Sequence, residues 1–370
     1  MIFYLVPFFF LTILTGIEYS QRFDSLIKNK YLYVLIALLF IIFIGLRFEI
    51  GCDWEQYENM FNKYSSLNIM QIIEKNLFAE HKYQEIGHIF ITKISQNIYI
   101  LNLIYSILFL LPLFYFCSTL KRSYFSLLIS YPYYIVVIGM GPIRQAACIS
   151  FSMILMLLIS KKKYYISFFI TIFSLLIHQS SILFNGLILG SSFSNIKNIK
   201  LSRKIIFLLI LVSFFLMYCL PSIINKVYVY FTLYKKIDRN GTMIIPPAKS
   251  AILIWVMNFI PSFIYLKNKV KFKLNNNLKS IFTSFCITEI LLLPIILFQS
   301  VVGYRLLLYI FPTSIYITSL IPDLKILNLK QNYIINILIS FAFISLIIWL
   351  KFAFHSYCWV PYQNILFNLY

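Results

Sequence analysis

The sequence predicts an all-α, polytopic integral membrane helical bundle, with about 11–12 transmembrane helices and two longer outer loops. Three observations predict it. Hydrophobic residues make up 61% of the 370 and charged residues only 12%, with a mean hydropathy of +0.83. A soluble domain carries about 25% charge, so these apolar side chains could not all be hidden from water. Apolar runs of roughly 17–25 residues recur from end to end, the length a helix needs to cross about 30 Å of hydrocarbon. They are continuous rather than alternating, which excludes a barrel. The third observation is that short basic clusters separate the runs.

The expected spans, in order, are 1–17, 31–46, 98–118, 124–139, 143–159, 164–178, 180–193, 205–221, 250–266, 280–299, 303–321 and 333–350. The first lacks a basic leader and an A-x-A-like cleavage site, so it reads as a retained helix. The pair 164–178 and 180–193 is short, and reads as two spans or as one bent or re-entrant element. No linker, soluble domain or long repeat interrupts the pattern, so 1–370 reads as a single transmembrane domain.

Orientation follows from the connections. Arg22, Lys28 and Lys30, then Lys121 and Arg122, then Lys161, Lys162 and Lys163 occupy every second one. The series continues with Lys197, Lys200, Arg203 and Lys204, then Lys267, Lys269, Lys271 and Lys273, then Lys325 and Lys330. Basic loops belong in the cytoplasm, so the alternate loops and both termini face outward. The net charge of +20 is therefore a topology signal rather than a nucleic-acid footprint. The stretch 222–249 departs from the rule, being outer yet carrying Lys226, Lys235, Lys236, Arg239 and Lys249. Trp54, Trp255, Trp349 and Trp359 fall at or near outer ends, where tryptophan favours the interface. The six cysteines show no C-x-x-C spacing, and most read as small core residues.

The groups able to do chemistry gather on the outer side. The first outer loop, 47–97, holds seven of the twelve acidic residues. Arg47, Arg144 and Arg305 stand against apolar segments on a face where arginine is disfavoured. Arg144 follows Gly141-Pro142-Ile143, which places it in the first turn of a helix, and Arg305 follows Gly303-Tyr304 in what reads as the same relative place. A helix N-terminus attracts anions, and arginine adds a fork matched to phosphate. Two such ends on one face suit a pyrophosphate. A single arginine there can equally snorkel to lipid headgroups. Glu49, Asp53, Glu85, His88 and His178 share the face, as carboxylates or imidazoles able to take a proton from a hydroxyl. Four histidines without H-E-x-x-H spacing predict no metal site. Glu289 lies deep in a span without a partner at helical spacing, and is left outside the site. Walker A, G-x-G-x-x-G and G-x-S-x-G motifs are absent, so ATP-driven transport and serine hydrolysis lose support.

The segment Gly45-Leu46-Arg47-Phe48-Glu49-Ile50-Gly51-Cys52-Asp53-Trp54-Glu55-Gln56-Tyr57 resembles the G-x-R-x-x-x-G-x-D-x-x-x-Y signature of EpsG-like proteins, the Wzy-type bacterial exopolysaccharide, capsule and O-antigen polymerases. Glu85-Ile86-Gly87, Pro142-Ile143-Arg144-Gln145, Ile177-His178-Gln179-Ser180 and Tyr304-Arg305 follow in the expected order, and the resemblance runs over about residues 31–321. It implies a multi-pass glycosyltransferase of the bacterial inner membrane, without metal or other cofactor. Such an enzyme joins undecaprenyl-pyrophosphate-linked repeat units on the outer face, beside a flippase and a chain-length regulator. It also implies Arg144 and Arg305 on the pyrophosphates, with His178 and Asp53 as further catalytic candidates. Arg47, Glu49, Tyr57, Glu85, His88, Gln145 and Tyr304 become candidates for substrate binding. Two other readings stay open: a flippase for the same lipid-linked unit, and an O-antigen ligase.

Overall fold

The computed structural model describes residues 1–20, 24–68, 71, 85–193, 248–324 and 329–367. Arg22, Glu74, Glu80, Cys219, the span 205–221, the basic residues of 194–204, Lys325 and the loop 222–247 lie outside the described residues. So does most of the stretch 69–78.

Among the described residues all regular structure is helical. The order is α1 (Ile2–Ser20), α2 (Lys30–Gly45), α3 (Trp54–Ser65), α4 (Ile86–Ile94), α5 (Ile98–Ser118), α6 (Ser123–Ser130), α7 (Ile143–Ser160), α8 (Tyr164–Ile177) and α9 (Ser181–Phe193). After the gap come α10 (Ala248–Asn268), α11 (Asn276–Phe298), α12 (Ser300–Leu307), α13 (Phe311–Leu320) and α14 (Gln331–Phe352). Seven helical spans are long and apolar enough to cross a membrane, with α12 and α13 counted together as Ser300–Asp323. The chain is thus an all-α polytopic membrane protein, as its apolar runs predict.

Asparagines start several of these helices. The Oδ1 atoms of Asn29, Asn97 and Asn275 accept from the backbone N–H groups of Tyr31, Ile100 and Leu278, so each caps donors that have no partner within the helix. The predicted span 124–139 is not a single α-helix. After Ser130 the chain widens into π-type turns over Tyr131–Ile138. Pro132 lies in this segment and has no N–H to give, so the ordinary ladder is broken there.

The helix α7 is central: 78% of its span is buried, against 28% for the peripheral α14. It packs against α5, α8 and α9. The two ends of the bundle differ in chemistry. At one end Glu18 accepts from the backbone N–H groups of Tyr124 and Phe125, and Lys121 pairs with Asp323 at 2.9 Å. The basic connections 161–163 and 267–273 lie at this same end, joined by Asn275 and Asn277, which donate to the carbonyls of Ser160 and Ile159. The opposite end carries Arg47, Glu85, Arg144, His178 and the C-terminal segment.

That segment is a clasp. Gly51 donates its N–H to the Cys358 carbonyl, Phe48 to Gln363, and Ile365 to Leu46. The hydroxyls of Tyr4 and Tyr362 donate to the carbonyls of Trp359 and Phe43, and the Trp359 indole donates to Val136. A disulfide joins Cys52 to Cys358 across 306 residues. The expectation of core cysteines holds for the buried Cys117, Cys148 and Cys286. Cys52 and Cys358 lie outside the apolar runs, and their pairing, made by tertiary contact, leaves no mark in local spacing. Reduction should lower the melting temperature of the detergent-solubilised protein, by the equivalent of about 2–4 kcal/mol for a native disulfide. Cys358→Ser should show the same loss and no further response to reductant. A wild type insensitive to reductant would show that the clasp holds without the bond.

The helices α8 and α9 form an antiparallel hairpin rather than one bent element. Lys163 precedes α8 at the basic end, and the Ser191 carbonyl near the end of α9 accepts from Ser280, close to the start of α11. The turn at His178–Ser180 therefore points away from the basic end. Fourteen residues of α8 rise about 21 Å, short of the roughly 30 Å of a bilayer core. His178 ends α8 at this far end of the bundle, its side chain 15% exposed.

Candidate functional site

Three connections meet at this end of the bundle. Glu85 precedes α4, Arg144 lies in the first turn of α7 just after Pro142, and His178 ends α8. The Glu85 carboxylate lies between the other two. Its Oε2 accepts from Arg144 Nη1 at 2.8 Å, and its Oε1 lies 3.0 Å from His178 Nδ1. The Glu85 side chain is 1% exposed, whereas Arg144 and His178 reach the opening.

Local sequence explains the convergence. A Cβ on Gly87 would sit 2.7 Å from the carbonyl oxygen of Leu176, so only glycine lets α4 press this closely on the end of α8. That approach carries Glu85 to His178. Gly51 adopts φ +96, a left-handed conformation suited to glycine, and a Cβ there would collide with the Met140 carbonyl. The first loop is thereby seated against the Gly139–Pro142 turn that presents Arg144.

Tyr57 places its ring 5.5 Å from the Arg144 guanidinium. His88 is fully buried, its Nδ1 2.8 Å from the Tyr105 hydroxyl. Its Nε2 has no hydrogen-bond partner. Burial, reinforced by Arg144, drops His88 well below the ordinary imidazole range, so it stays neutral. It is a packed neighbour of the centre rather than part of the opening.

Arg305 departs from expectation. It lies in the last turn of α12, not at a helix start, because the helix already begins at Ser300. The N-terminal anion site therefore belongs to Arg144 alone. Gln145 Nε2 donates to the Arg305 carbonyl at 2.6 Å and ties α12 to the first turn of α7. Tyr304 receives the Tyr133 hydroxyl at 2.6 Å, and both Asp53 and Arg305 act electrostatically on it. Gln145 and Tyr304 are engaged with the protein itself.

Arg47 is 1% exposed and turned inward. Its Nε, Nη1 and Nη2 donate to the Ile50 carbonyl, the Ile44 carbonyl and Asn102 Oδ1. Burial brings its guanidinium down to about 10, which leaves it charged at neutral pH. This geometry replaces the expected substrate contact with a structural one, a cation closing the end of α2. Glu49, with φ +50, is exposed on the loop and does not join the buried carboxylate.

Sequence reasoning missed Tyr105, Tyr133, Asn102 and Tyr309, whose hydroxyl lies 2.9 Å from Ser180 Oγ. Each sits inside an apolar run, where tyrosine and asparagine look like ordinary helix residues. Pro132 was the one available signal of the unusual segment bearing Tyr133. Among the described residues, no cluster of three or more His, Cys, Asp or Glu side chains could hold a metal ion.

The arrangement provides an oriented imidazole beside a guanidinium at a helix N-terminus. A carboxylate can only accept, so Nδ1 of His178 carries the hydrogen and basicity develops on Nε2. No curated protein and no solved structure matches the chain. The EpsG family model matches residues 30–364, so the chain belongs to the EpsG family, as the ordered motifs around Arg47, Glu85, Arg144, His178 and Arg305 led one to expect.

Proposed function

We propose that this polysaccharide-related membrane protein is a Wzy-type polymerase, a glycosyltransferase that joins undecaprenyl-pyrophosphate-linked repeat units on the outer face of a bacterial inner membrane. The observation that carries the reading is Glu85 holding Arg144 and His178 together, 2.8 and 3.0 Å from its two oxygens, at the end opposite the basic connections. Positive-inside statistics put that end outside. The Cys52–Cys358 bridge supports the same side, since disulfides persist in oxidising compartments.

In this reading an acceptor sugar hydroxyl attacks the anomeric carbon of the donor glycan. Its proton passes to His178 Nε2 as the bond to the pyrophosphate oxygen breaks. Arg144, at the helix N-terminus, and Arg305 meet the charge that grows on the leaving group, the kind of term that usually dominates such catalysis. The activated donor supplies the energy, so ATP is not needed. A flippase delivering the units and a chain-length regulator are the expected partners, with the membrane lipids around them. A transporter would need polar groups graded through the bilayer. Here the charged groups concentrate at the ends, and among the described residues Glu289 is the acid placed deep in a span, bonded to Ser262.

The test is the electrophoretic profile of surface polysaccharide from a deletion strain carrying wild type or His178→Ala. Wild type should restore the ladder. The variant should leave single repeat units on the surface carrier, with turnover down by about 10²–10⁴, the usual contribution of general-base catalysis. Complete absence of capped carrier in the deletion strain would favour a ligase or flippase, and an unchanged ladder would overturn the reading.

A further inference from the structure

We propose that the outward face of α3 is a glycan-binding groove that seats an uncharged run of sugar residues beside the Glu85–Arg144–His178 centre. The proposal rests on the polymerase reading and adds to it where the sugars lie. The helix is two-faced. Trp54, Tyr57, Met60, Phe61 and Tyr64 turn inward, with Tyr57 on Arg144. Gln56, Asn59 and Lys63 lie at i, i+3 and i+7 and are exposed, so they form an outward stripe, with the buried Met60 at its floor. Together with Glu55 and the edge of Tyr64 they line a cavity of about 420 Å3, within the roughly 300–1,000 Å3 of small-molecule sites.

The chemistry of the lining separates this groove from the arginine site. Glu55 and Lys63 cancel in charge, so the groove offers no net attraction to a pyrophosphate. The amides of Gln56 and Asn59 each donate and accept, matching hydroxyls that do the same. Met60 and Tyr64, 8% and 4% exposed, contribute only the small apolar floor of the groove. Tyr57, on the inner side of the same helix, connects the two regions, its ring 5.5 Å from the Arg144 guanidinium. Sugars lying along α3 would therefore lead toward the Glu85–Arg144–His178 centre.

The groove is held in shape before anything binds. Cys52, at one end of the cavity, is tied by disulfide to the C-terminal clasp. At the other end Lys93 Nζ donates to the Ser65 carbonyl at 2.8 Å, pinning the last turn of α3 to α4. A wall fixed at both ends loses little freedom on binding, which is how preorganisation raises affinity.

The experiment uses the full chain in nanodiscs and two probes: the repeat-unit oligosaccharide released from the host polysaccharide, carrying no phosphate, and inorganic pyrophosphate. Gln56→Ala/Asn59→Ala should weaken oligosaccharide binding at least tenfold and leave pyrophosphate binding unchanged. Asn59→Trp, which fills the cavity, should do the same. Arg144→Ala should show the reverse pattern. Both groove variants replace exposed side chains and should melt with wild type. Equal oligosaccharide affinity in wild type and both variants, or no binding to wild type at all, overturns the groove. A normal ladder in the deletion strain itself, with oligosaccharide binding still lost in the groove variants, would instead sink the polymerase reading and leave the groove standing.

Discussion

Replacing Arg144 by alanine should abolish polymer while the protein still reaches the membrane, with a rate loss of at least about 10²–10³, the typical cost of removing one preorganised donor. The guanidinium is poised in the first turn of α7, where free backbone N–H groups already favour an anion. It also orients Glu85, which in turn orients His178. One substitution therefore removes charge stabilisation and disturbs the proton acceptor. Arg144→Lys should not rescue, because an ammonium cannot replace the planar fork beside Glu85. Breaking a buried pair by removing one partner costs about 3–5 kcal/mol, so a fall in melting temperature must be separated from a catalytic loss. The variant Arg144→Met/Glu85→Gln removes both charges at once. Its melting temperature should recover most of what Arg144→Ala loses, while the polymer stays absent. Normal chain length from Arg144→Ala, at wild-type protein level, would remove Arg144 from the mechanism.

The second large effect concerns stability. Arg47→Ala should lower the melting temperature of the solubilised protein steeply and reduce its accumulation in the membrane. The substitution orphans three buried acceptors, the Ile44 and Ile50 carbonyls and Asn102 Oδ1. Each unmade buried hydrogen bond costs about 1–3 kcal/mol, and the missing side chain leaves a cavity under Trp54, which now stacks 5.8 Å from the guanidinium. Arg47→Lys should fall between the two, since one ammonium cannot reach acceptors set around a fork. An Arg47→Ala protein that melts with wild type but fails to make polymer would return Arg47 to the substrate.

These two arginines show how far the sequence could be read. Both sit beside glycine-containing loop motifs on the same face, and nothing in their spacing distinguishes the one paired with Glu85 from the one closing a helix. The difference arises because Asn102 of α5 and the clasp around Asn364 surround Arg47, whereas Glu85 lies against Arg144. Arg305, expected at a helix start, lies instead in the last turn of α12, whose N-cap position is taken by Gln299, not a capping residue type. The helix start at Ile143 was legible because Pro142 marks it locally.

What the sequence by itself determined is what local physics dictates. The length of apolar run needed to cross hydrocarbon sets the helices, lysine clusters set their alternation, and proline and asparagine set several boundaries. The placing of Glu85, Arg144 and His178 at one end also followed, because alternation sends those three connections to the same side. Only the tertiary structure decided that one carboxylate joins the other two and that Cys52 meets Cys358. Those contacts join residues 59, 93 and 306 positions apart. They depend on how closely α4 can approach α8, and on the clasp folding back over the first loop. Neither is written into the period of any single segment.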